Sequence, residues 1–513
     1  MKPIRLMRGF LTVGGWTLMS RVLGFVRDAL IAAYLGAGPA AEAFVVAFSL
    51  PNMFRRFFAE GTLNVAFVPL FSKKVEAQDN PRGFAEDTLS ALAGLLLVLT
   101  IAAMIFMPLL VSAMAAGFIG DSRFDLAVHY GRITFPYVLF ISLGALFSGI
   151  LNATGRFAAA AAAPVMLNII LSLAMVVAHF AGFDVGTALV WAVPVAGAAQ
   201  LLIVWVAASK AGFSIRPRLP RMTPELKKLL ILAGPAALAG GVVQINLLVG
   251  RQVASFSEAG ALQYLNLADR LYQLPLGVVA IAIGVVLLPD LSRRLQAGDR
   301  AGARSAYNRA FEFALLLTIP AAVALIVMPE ALIGVLFQRG AFTPEHAQAT
   351  ALAVAIYGLG LPAFVIQKVL QPLYFAREDT KTPFRFAVYS MVVNAALAIG
   401  LSFWIGYLAA AVATSLAAWS MVILLFIGKA SMGEDVTSDA QLRKRAPRIL
   451  LAALAMGALL YGTQILLAPV FDFSRLLATL ILIALGIVSY FGIGQAIGAL
   501  NLRDIKSSMK RGR

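Results

Sequence analysis

The sequence predicts an all-α polytopic membrane protein with fourteen transmembrane helices, and three observations carry that prediction. The first is composition: of 513 residues, 60% are hydrophobic and 13% charged, with a mean hydropathy of +0.86, where a soluble domain carries about 25% charged residues. The second is patterning. Apolar runs of about 20 residues, enough to cross about 30 Å of hydrocarbon, recur along the whole chain between short charged or Pro/Gly-rich breaks. The third is the distribution of positive charge. Of the 42 Lys and Arg residues, 31 fall on one side of the spans, 4 on the other and 7 inside them. Cytoplasmic loops carry the excess of Lys and Arg, so this split calls for an even number of spans with both termini cytoplasmic.

Taken in order, the spans are placed at 10–35, 42–71, 88–114, 126–152, 159–180, 186–208, 227–254, 260–290, 308–328, 346–375, 383–404, 407–428, 446–468 and 475–499. The four cations on the sparse side are Arg123, Arg132, Arg339 and Arg475. The basic, then apolar, start of the chain has the outline of a secretory signal peptide. Arg21, Arg27 and Asp28 interrupt what would be its apolar core, so it reads as a retained first span. The connections are too short to hold a separate soluble domain.

An internal repeat divides the chain. Leu50-Pro51 and Val68-Pro69-Leu70-Phe71-Ser72-Lys73-Lys74 recur as Leu274-Pro275 and Leu288-Pro289-Asp290-Leu291-Ser292-Arg293-Arg294; Arg27 and Gly36 map onto Arg251 and Gly260, and Pro136 and Asn168 onto Pro362 and Asn394. The expected organisation is two parallel six-helix lobes, 1–222 and 223–440, related by a pseudo-twofold, with the last two spans and a basic tail at 441–513. Parallel halves of this kind enclose a site near the midplane and expose it alternately.

Several chemistries are excluded. There is no cysteine, hence no disulfide or thiolate, and His129, His179 and His346 are too scattered to form a metal cluster. No GxxxxGK[ST] phosphate loop is present. No nucleophile, base and metal set emerges, so the chain is not expected to be an enzyme or to need a cofactor, and in a membrane protein its net charge of +17 does not imply nucleic acid.

Charge within the spans points to the site. An ionised side chain at mid-bilayer costs about 2.5 to 3.5 kcal/mol on insertion scales and normally faces a bundle interior or a pathway. Thr17, Ser20, Arg21, Gly24, Arg27 and Asp28 share one face of the first span at three- and four-residue steps; Asn52, Arg55 and Arg56 line the second, followed by Glu60. Arg251 lies on span 7, Asp269 and Arg270 on span 8 and Lys368 on span 10. These cations outnumber their candidate internal partners, Asp28, Glu60 and Asp269, and guanidinium forks suit phosphate oxygens. An anionic, phosphorylated ligand in a central cationic cavity is the favoured reading, with snorkelling or fixed salt bridges as the structural alternative, above all for Arg56 and Arg251. Asp28 and Asp269 either orient neighbouring arginines or take up a coupling cation or proton. Glu42 is a helix cap or a gate residue.

SRVLGFVRD (20–28), LPNMFRRFFAEG (50–61), ADRLYQLPLGV (268–278) and FAREDTKTP (375–383), in this order and with fourteen spans, make the chain resemble the MurJ/MviN family of bacterial lipid II flippases, within the multidrug/oligosaccharidyl-lipid/polysaccharide exporter superfamily. The resemblance implies a V-shaped pair of six-helix lobes around a cationic cavity, with a hydrophobic groove on the last helix pair. The implied substrate is lipid II, undecaprenyl-pyrophosphate-linked disaccharide-pentapeptide, moved between leaflets of the bacterial cytoplasmic (inner) membrane. It further implies Arg21, Arg27, Asp28, Arg55 and Arg270 as site residues, membrane lipids as surroundings and the cell-wall synthesis machinery as a partner. Glu42 stands where the family pattern has aspartate. The alternatives are a flippase for another polyprenyl-pyrophosphate oligosaccharide, a cation-coupled drug exporter, for which an acidic cavity would be expected, and a cell-wall scaffold that transports nothing.

Overall fold

A computed structural model describes residues 3–56, 66–219, 221–433 and 436–501. Among these the regular structure is helical throughout. In hydrocarbon no water can satisfy backbone N–H and C=O groups, and a helix satisfies them within one segment.

The helices of the first half are α1 (Pro3–Leu35), α2 (Pro39–Arg55), α3 (Val68–Glu76), α4 (Pro81–Ile105), α5 (Met107–Ala115), α6 (Ser122–Thr134), α7 (Tyr137–Ala153), α8 (Ala158–Ala181) and α9 (Val185–Lys210). Then follow α10 (Pro224–Ser255), α11 (Ala261–Gln296), α12 (Arg300–Val327), α13 (Pro329–Phe337), α14 (Pro344–Phe375), α15 (Lys381–Ile405), α16 (Leu408–Lys429), α17 (Ala440–Leu466), α18 (Ala468–Phe473) and α19 (Arg475–Ala496). Proline sets several of the breaks. Pro39, Pro81, Pro108 and Pro329 each open a helix, where a missing N–H is harmless. Expected span 3 is thereby split into α4 and α5, and span 4 into α6 and α7 at Pro136.

By length and composition, 10 helical stretches among the described residues can cross a membrane. The four other expected spans fall on α1, on α2 with α3, on α10 and on α11, which are the segments carrying the internal arginines.

Packing divides the chain into two compact units: residues 1–263 with 339–342, and residues 264–338 with 343–513. In the first unit α1 runs along α8, α8 along α9, α9 against α7, and α2 against α6. A phenylalanine-rich core at one end, Phe67, Phe71, Phe84 and Phe147 among others, holds α3, α4 and α7 together. The repeat places a boundary after residue 222, whereas packing places it after Gln263, because α10 leans on α5: the Ala116 and Gly117 N–H groups donate to Gln252 Oε1 and Ser255 Oγ, both at 3.0 Å. Gly36 and Gly260, paired by the repeat, both take left-handed backbone, at φ +62° and +98°, each turning the chain before the next helix.

In the second unit α14 and α15 pack on α16, α12 packs on α14 and α17, and α19 packs on α17. Met456, Leu460, Leu482 and Tyr490 seat the last helix pair, and the Tyr490 hydroxyl donates to the Leu316 carbonyl at 2.8 Å. Within the motif 375–383 the chain makes a compact turn between α14 and α15: Glu378 sits at φ +60° and Asp379 Oδ1 accepts the Thr382 N–H at 2.9 Å in the first turn of α15.

Candidate functional site

Two of the internal charges of the first span, Arg27 and Asp28, form a buried network with α8. Arg27 and Asp28 are 6% and 3% exposed. Two guanidinium nitrogens of Arg27 donate to Asp28 Oδ1, Nε at 3.0 Å and Nη2 at 2.6 Å, and Nη1 donates to Asn168 Oδ1 on α8 at 3.0 Å. Asn168 is itself buried and returns its amide N–H to the Ser20 carbonyl at 2.9 Å. The amide thus bridges two turns of α1, and the close fit of α1 on α8 at Gly24, next to Asn168, permits it. Phe48 of α2 lies 6.0 Å from the Arg27 guanidinium, near the limit of a cation–π contact. Of the two roles weighed for Asp28, this is the geometry of one that orients Arg27.

The remaining expected residues of this unit are less enclosed. Arg21 is exposed on α1, Arg55 half-buried at the last turn of α2, and Arg56 exposed just beyond it. Asn52 donates within its own helix, to the Phe48 carbonyl at 2.8 Å. Arg251 is half-buried on α10. Glu60 lies outside the described residues. In the second unit Arg270 and Lys368 are exposed on α11 and α14, and Asp269, half-buried, accepts the amide of Gln273 one turn on.

Glu42, by contrast, is fully buried at the start of α2. Its Oε2 accepts Arg123 Nη1 and its Oε1 accepts the Leu262 backbone N–H, both at 3.0 Å. Arg123 also donates through Nε to Asp121 Oδ2 at 2.7 Å and lies 4.4 Å over the Phe118 ring. The backbone N–H and the guanidinium of Arg123 hold the Asp121 carboxyl below its usual range. One carboxylate therefore ties the start of α2 to α6 and to the first turn of α11. Beside it the Ala341 N–H donates to the Ala33 carbonyl at 2.8 Å, drawing the segment 339–342 onto the end of α1. Such convergence suits a gate residue, the sharper of the two roles weighed for Glu42.

Two participants escaped sequence reasoning. Asn168 served only as a marker of the repeat, although an amide in the middle of the apolar run Met166 to Leu173 is itself a signal of an internal polar partner. Charge counting places Arg123 in a loop; its position two residues past the helix cap Asp121, with Glu42 81 residues away, leaves no local sign of the pair. Among the described residues no group of three or more His, Asp or Glu side chains has the arrangement of a metal site.

The family model described as "Lipid II flippase MurJ" matches residues 31–482. A probable lipid II flippase MurJ from Rhizobium meliloti (strain 1021) is 46% identical over 522 aligned positions, covering 99% of this chain and 97% of the relative. A solved structure of lipid II flippase MurJ in an inward closed conformation superposes with a TM-score of 0.81 at 27% identity, covering 96% of this chain and 99% of that one. An inward-facing multidrug-resistance transporter of the MATE family superposes at 0.66 with 15% identity, which speaks for a shared fold alone, over 82% of this chain and 97% of that one. A family match over most of the chain and close identity over nearly all of it agree with the four sequence motifs: the chain belongs to the lipid II flippase MurJ family.

Proposed function

We propose that this multi-pass membrane protein is a lipid II flippase, carrying undecaprenyl-pyrophosphate-linked disaccharide-pentapeptide from the cytoplasmic to the periplasmic leaflet of the inner membrane by alternating access, with both termini cytoplasmic. The observation that carries the reading is membership of the flippase family over nearly the whole chain. The pattern of charge fits the substrate. A pyrophosphate needs guanidinium forks that are accessible or become so, and Arg21, Arg55 and Arg270 are exposed or half-buried. Arg27, held by Asp28 and Asn168, sets the shape of α1 against α8 and joins the ligand only by exchanging its internal partner. Asn52 belongs with the ligand-binding residues in this proposal, and Arg56, Glu60, Arg251, Asp269 and Lys368 have supporting roles.

Glu42 gates the path in this reading, because the groups it joins come from three separate helices. The polyprenyl chain stays in lipid against α17 and α19, whose outer faces carry exposed Leu451, Leu454, Ile487 and Val488. Two compact units of similar size suit a rocking motion. No covalent step and no cofactor is called for. The product enters peptidoglycan assembly, so contact with the cell-wall synthesis machinery is part of the proposal.

The test is a leaflet-accessibility assay for lipid II in cells depleted of their own flippase. The chain should restore periplasmic exposure of lipid II, and a variant combining Arg21→Ala, Arg55→Ala and Arg270→Ala should not, at equal membrane abundance. Full translocation by that variant would overturn the site; failure of the unmodified chain to restore exposure would overturn the function.

A further inference from the structure

A cavity of about 220 Å³ opens within the second unit, where α13 meets the junction of α17, α18 and α19. At about 30 Å³ per water, it has room for some seven waters. None of the candidate functional-site residues lines it. Its polar wall is made of Glu330 from the first turn of α13, Gln338 just past that helix, Gln464 from the last turn of α17 and Arg475, the first residue of α19, with Phe471 of α18 among its apolar lining.

Two features ask for a ligand. Gln464 Oε1 is buried yet accepts no hydrogen bond, and an orphaned buried acceptor is unfavourable by about 1–3 kcal/mol. Large apolar side chains also flank the lining residues in sequence and stand out from the protein: Leu466 is 79% exposed, Phe473 85% and Leu476 59%. At the ends of spans such side chains reside among acyl chains, and helix ends lie at the level of lipid headgroups.

We propose that the cavity binds the headgroup of a phospholipid carrying both an ammonium and a phosphate, with phosphatidylethanolamine as its occupant. The ammonium has three N–H donors for the three side-chain acceptor groups of the wall, the Glu330 carboxylate, Gln464 Oε1 and the Gln338 amide oxygen. The phosphodiester meets the Arg475 guanidinium at the N-terminus of α19, where charge and helix dipole have the same sign. The acyl chains follow Leu466, Phe473 and Leu476. A glycerol headgroup would set a net anion beside Glu330, and a trimethylammonium has no N–H to give Gln464, so the donor pattern selects a primary amine. Bound there, the lipid joins α13 to the C-terminal helix pair, an interface where Thr479 Oγ1 reaches the Ala331 carbonyl at 3.3 Å.

The test uses the full chain purified in detergent, stripped of lipid and titrated with dioleoyl phosphatidylethanolamine, phosphatidylglycerol or phosphatidylcholine, with bound lipid counted by native mass spectrometry. Phosphatidylethanolamine is expected to bind about tenfold more tightly than the other two. Gln464→Leu should weaken it about tenfold and leave phosphatidylglycerol binding unchanged, whereas Arg475→Ala, which removes the partner of the phosphodiester, should weaken phosphatidylethanolamine binding about tenfold as well. Lipid-free melting reports folding; should either variant melt early, the exposed Glu330→Gln supplies the same comparison. Lipid II binding should be the same in all of them, which separates this site from the transport path. Equal binding of the three lipids, or unchanged phosphatidylethanolamine binding by well-folded variants, overturns the proposal.

Discussion

Replacing Asn168 by leucine tests whether the Arg27 network is a structural clamp. The side chains are close in volume, so little cavity is created and the effect reduces to lost hydrogen bonds. One is charge-assisted, Arg27 Nη1 to Asn168 Oδ1 at 3.0 Å, of a type contributing about 1.5–3 kcal/mol; the other is neutral, Asn168 Nδ2 to the Ser20 carbonyl at 2.9 Å, of a type contributing about 0.5–1.5 kcal/mol. Interhelical hydrogen bonds in membrane proteins average only about 0.6 kcal/mol, because the dissociated helices find other partners. The lower part of the summed range is therefore expected, a loss of about 2 kcal/mol. A double-mutant cycle with Arg27→Met isolates the shared term, expected at about 1–2 kcal/mol. Reversible unfolding by denaturing detergent, read by helical circular dichroism, measures all four corners. Additive effects, with a coupling below about 0.5 kcal/mol, would refute the clamp and leave Asn168 as a packing residue.

Three further outcomes follow from the same geometry. Arg123→Ala leaves the buried Glu42 carboxylate without its guanidinium, which should destabilise the fold by about 3–5 kcal/mol, and adding Glu42→Gln should restore most of the melting temperature; a double variant no more stable than the single one contradicts this. Gly36→Ala places a Cβ 2.5 Å from the Ala341 carbonyl oxygen at a φ of +62°, so a loss of at least about 2 kcal/mol is expected, measured by the same unfolding assay. For Asp121, bonds from the Arg123 N–H and guanidinium depress the folded carboxyl pKa. Its contribution is then present above the ordinary aspartate value of about 3.9 and lost as pH falls through the depressed one. Melting profiles between pH 6 and 3 should steepen at the acid end for the unmodified chain, and Asp121→Asn should flatten that fall.

Much of the fold and half of the site were legible because the membrane makes polar placement conspicuous. Arg27 and Asp28 could be singled out from the first span alone, since every alternative to an internal partner is unfavourable there. Their actual partner was harder to find. Asn168 lies 141 residues from Arg27, and nothing in an apolar run specifies which neighbouring helix an amide will face. Glu42 was legible as a candidate gate from its place between two spans, whereas Arg123 was not legible as its partner. Counting loop cations assumes that a cation beyond a span is solvated, and burial against Phe118 and Glu42 breaks that assumption. The excess of cations was counted with Asp28 already among the internal partners, and the structure pairs that carboxylate with Arg27. The packing of α10 on α5 could not be read at all, since a repeat reports ancestry of segments and not which surfaces they bury.

A guanidinium held by its own carboxylate has a consequence for a transporter. Binding an anion to Arg27 exchanges one charged partner for another, so the net gain is the difference between two charge-assisted bonds rather than the whole of one. An uncompensated buried guanidinium would hold a diphosphate tightly and release it slowly, and turnover would then be limited by escape. In the proposed function Arg21, which is exposed and keeps its solvation, attracts the ligand from the start, while Arg27, paired with Asp28, adds attraction only when the ligand is close enough to compete. That proposal divides capture and release between two arginines of one helix face. Asp28 sits on the same helix as Arg27 and Asn168 in the same compact unit, so in the proposed rocking both partners travel with the guanidinium and are at hand to close the pair again when the ligand leaves.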